Sequence, residues 1–121
     1  MDYNISLSED GTFLWIRVFE TINGKMEKEF AGKAIEDARQ HKINSFLVDV
    51  RGIENVASTL EQYMFGYEDV KKFGLNKNSK IAILVDEGDK SHDFIETVFM
   101  NAGYHCCLFR DEDAAIKWFG E

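Results

Sequence analysis

No proline occurs anywhere in the 121 residues of the chain. With no Gly/Ser-rich stretch either, nothing marks a linker, and one domain spanning residues 1–121 is expected. Only two cysteines are present, side by side at Cys106 and Cys107, which excludes a disulfide framework and any C-x-x-C zinc pair. No apolar run reaches the roughly 18 residues that a membrane helix needs. The opening "MDYNISLSEDG" has no basic segment leading into an apolar one, so no signal peptide is expected. Basic residues are scarce, 14 against 22 acids, for a net charge of -8. Such a surface repels nucleic acid and anionic lipid heads. Neither nucleic acid binding nor membrane insertion is expected. The expected setting is a reducing compartment, the cytoplasm. Motifs are missing too: there is no Gly-rich phosphate loop and no H-E-x-x-H.

What is present is apolar material arranged in two periods. Hydrophobic residues make up 45% of the chain and include 10 Phe, enough for a packed core. Tyr3–Leu7 and "FLWIRVFE", Phe13–Glu20, read as strands joined by a tight turn at Asp10-Gly11. From Lys25, Met26, Phe30, Ala34, Ile35 and Ala38 recur at helical spacing, with the charges assigned to the opposite face. "SFLVDV", Ser45–Val50, reads as a buried strand. Leu60, Tyr63, Met64, Tyr67 and Val70 form the next helical stripe, ended by Gly74. "KIAILVD", Lys80–Asp86, is the clearest strand. Phe94, Ile95, Val98, Phe99 and Ala102 give a third stripe, stopped by Gly103. "HCCLF", His105–Phe109, is the last strand, and Asp111 caps a final helix carrying Ala115, Ile116, Trp118 and Phe119. The order ββαβαβαβα predicts an α/β fold with a mixed, mostly parallel five-stranded sheet and four helices. Sequential right-handed crossovers would gather the helices on one face. The other face would then need cover for half of Phe13, Leu14, Trp15 and Ile16, either from the first helix or from a second subunit, so a homodimer is expected.

That order, with an antiparallel first strand on a small βα superhelix, resembles the STAS/SpoIIAA-like superfamily. "FLVDVRGIENVASTLEQY" and "NAGYHCCLFRDEDAAIKWF" are similar to a largely uncharacterised bacterial branch of it. The members are relatives of anti-sigma-factor antagonists, with SEC14-type lipid-binding domains more distant. The resemblance implies a regulatory, non-enzymatic module without a cofactor. In the antagonists a phosphorylatable serine, in an Asp-Ser-Ser-Gly type motif, opens the helix after the third strand. The matching stretch here is Val56-Ala57-Ser58-Thr59-Leu60, so the hydroxyls are kept, while Ala57 and Leu60 stand where the Asp and Gly would be.

The candidate site residues lie on the rim formed by residues 51–59 and 86–92. Ser58 and Thr59 each begin an S/T-x-x-E/Q capping box, and the same helix start suits a phosphate, with Arg51 as the candidate anion contact. Asp49 and Asp86 end neighbouring strands, where ligands of open α/β sheets bind; they also suit acceptance of loop N–H bonds. The acid pair that a receiver domain needs after its first strand is absent. "DEGDKSHDF" gathers Asp86, Asp89, Ser91 and His92, oxygen-rich enough for a hard cation, though helix starts attract the same residues. Cys106 and Cys107 should point to opposite faces as small apolar fillers.

Three functions follow. The first is a STAS-like module binding a protein partner or small ligand, with Ser58 or Thr59 as a phosphorylation switch. The second is a carrier of a lipid or small apolar molecule, lined by "LEQYMFGYEDVKKF". The third is a hydrolase using Asp49, Asp86 or His92.

Overall fold

The computed structural model describes residues 2–121. Five strands form one sheet whose spatial order is the chain order: β1 (Tyr3–Leu7), β2 (Leu14–Val18), β3 (Ser45–Asp49), β4 (Lys80–Leu84) and β5 (His105–Phe109). β1 and β2 are an antiparallel hairpin, and the remaining neighbours are parallel. The hairpin turn is held by Asp10, whose Oδ1 accepts from the Ser8 and Thr12 hydroxyls at 2.8 and 2.7 Å.

α1 (Gly24–His41) starts where the helical period starts. Asn23 caps it, its Oδ1 accepting from the Met26 N–H at 2.9 Å. The next helix is continuous but not uniform. α2 (Thr59–Met64) runs into a π-helical turn, Phe65–Asp69, and then into α3 (Val70–Lys72). The Val70 N–H reaches back five residues to the Phe65 carbonyl. Gly74 ends the run with φ 87, which a side chain would resist. α4 (Asp93–Asn101) and α5 (Glu112–Trp118) complete the chain, the latter capped by Asp111.

Three expectations need correction. First, the helices do not all gather on one face. α1, the α2–α3 helix and α4 cover one side of the sheet, burying Leu14, Ile16, Phe46, Ile81 and Ile83. α5 crosses to the other side and seals Phe13, Leu47, Ala82 and Leu84 with Ala115, Ile116, Trp118 and Phe119. Neither the first helix nor a second subunit is needed there, because α5 carries its own apolar stripe.

Second, the stripe Leu60, Tyr63, Met64 is not core. Leu60 is 69% exposed, and Tyr63 and Met64 are exposed as well. The buried face of this helix is instead Gln62, Phe65, Gly66 and Val70. Both stripes have helical spacing. Gly66 decides between them, since a Cβ there would collide with Val98 of α4. Only that face lets the helix approach closely enough for Phe65 to meet Phe99 edge-on, 5.9 Å between centroids.

Third, the charges of α1 are not all outward. Glu27 is 3% exposed, on the same face as Phe30, Ala31, Ala34 and Ala38. The spacing 27, 31, 34, 38 carried that signal.

Candidate functional site

The parallel strands β3 and β4 deliver two loops to the same rim, residues 50–58 and 85–92. The loops do not leave a cleft between them, because they are bonded to each other. Gly52 turns the first loop with φ 75 and points its N–H at the Asp86 carboxylate. The Asn55 N–H donates to Ser91 Oγ at 3.1 Å. His92, 1% exposed, reaches the Ile53 carbonyl through Nε2 at 2.9 Å. A carbonyl only accepts, so Nε2 carries the hydrogen. The segment after β2 pins the first loop from its other side, with Ile22 N–H donating to Glu54 O and Val56 N–H to Ile22 O.

Asp49 and Arg51 form a forked pair. Arg51 Nε and Nη2 donate to the two carboxylate oxygens at 2.9 and 2.7 Å, and Nη2 also reaches Glu112 of α5 at 3.2 Å. Burial pushes the Asp49 carboxyl up, and the Arg51 hydrogen bonds outweigh it, holding the group below the usual carboxylate range. Arg51 is therefore already occupied by two carboxylates, and an incoming anion would have to displace them. Asp49 and Asp86 both accept loop N–H groups, from Arg51 and Gly52.

Asp89, Ser91 and His92 do touch. Ser91 Oγ donates to Asp89 Oδ1 at 2.8 Å, and Asp89 Oδ2 lies 3.4 Å from His92 Nε2. Burial raises the Asp89 carboxyl, and its bonds from Ser91 bring it below the ordinary value. The order is wrong for a Ser-His-Asp nucleophile: the carboxylate stands between serine and histidine, so no imidazole is placed to take the serine proton. Among the described residues, no three His, Cys, Asp or Glu side chains gather to hold a metal ion. Also among them, no helix is long and apolar enough to cross a membrane. Cys106 is buried and its thiol is pushed far up by that burial, which removes the thiolate a nucleophile needs.

Ser58 makes the complete capping box. Its Oγ accepts from the Glu61 N–H at 3.1 Å, and Glu61 Oε1 accepts from the Ser58 N–H at 2.8 Å. Thr59 does not make the second box, because Gln62 turns its amide to the Ala57 carbonyl. Ser58→Ala should lower stability by about 1 kcal/mol, read as a shifted urea midpoint with unchanged slope.

Two features escaped the sequence reading. One is the outward apolar strip of Val56, Leu60, Tyr63 and Met64, beginning beside Ser58. Tyr63 stacks on Tyr67 with centroids 4.6 Å apart, which stiffens it. The other is Glu27 with Asn55 and His92. These are the three polar residues lining a cavity of about 80 Å³ between the sheet and the α1, α2–α3 and α4 layer. Burial pushes the Glu27 carboxyl up to about 8, with Glu61 and Asp69 adding to the rise and the Asn55 amide opposing it.

An open sheet of strand order 1-2-3-4-5, with an antiparallel first strand and one helix on the far face, defines a SpoIIAA-like fold. A solved structure with that fold is similar over nearly the whole chain. It is an uncharacterised protein of the DUF3478 family from Shewanella loihica PV-4, with TM-score 0.59 and 16% identity, covering 97% of this chain and 91% of that one. No protein-family model matches the chain, and no curated protein matches it.

Proposed function

We propose that this chain is a non-enzymatic, STAS-like docking module whose partner is another protein, held on the outer face of α2. The observation that carries this is the exposed strip of Leu60, Tyr63 and Met64, extended by Val56. Large apolar side chains clustered in water mark interaction surfaces, and a rigid aromatic among them loses little entropy on binding. The loops behind it are cross-bonded, which keeps the strip in one shape before binding.

Ser58 stands at the head of the strip with its hydroxyl exposed. A phosphate there would sit beside Glu61, whose carboxylate closes the capping box. Two like charges cannot share that turn, so phosphorylation would expel Glu61 and recast the start of the docking face. This reading makes Ser58 the switch, Thr59 a spectator, and Arg51, Asp49 and Asp86 the bracing of the rim.

A photo-crosslinker at Tyr63 tests the surface in the native host. The expected result is a defined protein adduct that Leu60→Asp abolishes while leaving thermal stability unchanged, because Leu60 is exposed. An adduct insensitive to Leu60→Asp, or none at all, overturns the reading. A self-adduct would name a second copy of this chain as the occupant, and light scattering against the 13.9 kDa monomer would then size it. An acyl chain does not fit the 80 Å³ cavity, so the carrier reading gains no support from it.

A further inference from the structure

Glu27 is buried to 97% of its surface, and among the described residues neither of its carboxyl oxygens has a hydrogen-bond partner. Buried carboxyls are almost always satisfied, so an orphan one calls for an explanation. The group sits on the wall of a cavity, not in tight packing. Sixteen of the nineteen lining residues are apolar; the other three are Glu27, Asn55 and His92.

The chemistry of the surroundings selects a ligand. Glu61 from α2 and Asp69 from the π-helical turn both act on Glu27 as negative neighbours. Lys28 is the nearby cation, and it is paired with Asp69 at 3.7 Å. Among the described residues, no Lys or Arg lines the cavity. Asn55 spends its Oδ1 on the Ala57 N–H at 2.9 Å, and His92 spends Nε2–H on the Ile53 carbonyl. The Asn55 amide N–H faces Glu27 without closing a full hydrogen bond, so the site presents a carboxyl short of donors, in negative surroundings, on the wall of an apolar chamber. At ~10–15 Å³ of accessible space per water-sized group, the 80 Å³ chamber has room for about five such groups, enough for a three-carbon ammonium ion.

We propose that this cavity is a binding site for a small aliphatic ammonium ion, with Glu27 as its counter-ion and the apolar lining holding its short carbon chain. The N–H groups of the ligand supply the donors that Glu27 lacks. Binding transfers the Glu27 proton to solvent, since the ligand is already charged. The site is separate from the α2 docking strip and does not depend on it.

The test uses the full chain and two probes of equal size, propylammonium chloride and propan-1-ol, followed by methyl NMR of the lining isoleucines. Propylammonium should produce saturable shifts, with affinity rising about tenfold from pH 6 to pH 7 as Glu27 becomes easier to deprotonate. Calorimetry in buffers of different ionisation heat should show a released proton. Propan-1-ol should bind more weakly and without the pH slope. Glu27→Gln should weaken propylammonium at least tenfold and erase the slope. A slope that survives in Glu27→Gln would assign it to His92 and overturn the proposal. Equal binding of the alcohol would reduce the chamber to an unselective apolar void. Absence of saturable shifts would leave it a water-filled defect. Should Glu27→Gln fail to fold, the alcohol comparison and the proton release in the native chain still decide.

Discussion

Glu27→Gln should be more stable than the native chain at pH 9 and nearly equal to it at pH 5. In the native chain the Glu27 carboxyl holds its proton up to about pH 8, whereas the unfolded chain releases it near 4.5. Between those values the unfolded state binds fewer protons than the folded one. Stability therefore falls as pH rises through this window and levels off above it. The full span corresponds to about 5 kcal/mol, a large share of a small domain's total. The carboxyls held low, Asp49 and Asp89, titrate below this window and do not blur it. A glutamine cannot titrate, so its profile should be flat there. Urea unfolding at pH 5, 7 and 9 checks both chains. A native profile that stays level from pH 5 to 9 would show that the carboxyl is ionised and paired in solution.

Removal of residues 111–121 should cost the fold outright. α5 packs Phe119 on Phe13 with centroids 5.3 Å apart and Trp118 on Phe109 at 5.4 Å. Lys80 ties the helix end down through the Trp118 carbonyl at 3.0 Å. Without α5, Phe13, Leu47 and Leu84 meet water, and the burial of Ile116, Trp118 and Phe119 is lost as well. Six large side chains at about 1.5 kcal/mol each amount to roughly 9 kcal/mol, comparable to the stability of an ordinary domain. Circular dichroism and size-exclusion chromatography should show an unfolded or associated chain. A truncated form that stays folded and monomeric would mean the far face is far less dependent on α5 than its packing implies.

The sequence was informative wherever a local signal had one answer. "KIAILVD" is apolar on both sides and could only be a central strand. Ser58 and Glu61 stand three apart before an apolar run, and the capping box formed. Asp111 and Gly103 punctuated helices as such residues do. It failed where two answers had the same period. The second helix carries two apolar stripes, and choosing between them required knowing that Val98 would lie against Gly66. Glu27 lies in "KMEKEF", where residue type does not separate one buried acid from its exposed neighbours and only its spacing to Ala31, Ala34 and Ala38 does. The structure brings the two rim loops together through bonds that each join a backbone group of one loop to a side chain of the other, 34 to 39 positions away, which no residue type announces.

The sheet order has a consequence for how the chain is made. Every strand is laid beside the one synthesised just before it, so each new βα unit finds its template already in place. With no proline, no slow isomerisation interrupts the process. The exception is α5, which belongs to the far face and follows all five strands in the chain. Until it emerges, a nascent chain with four correct neighbours in register still shows Phe13, Leu47 and Leu84 on its open side. The vulnerable interval is thus the one between β5 and α5, when a holdase covering that face would have most to protect.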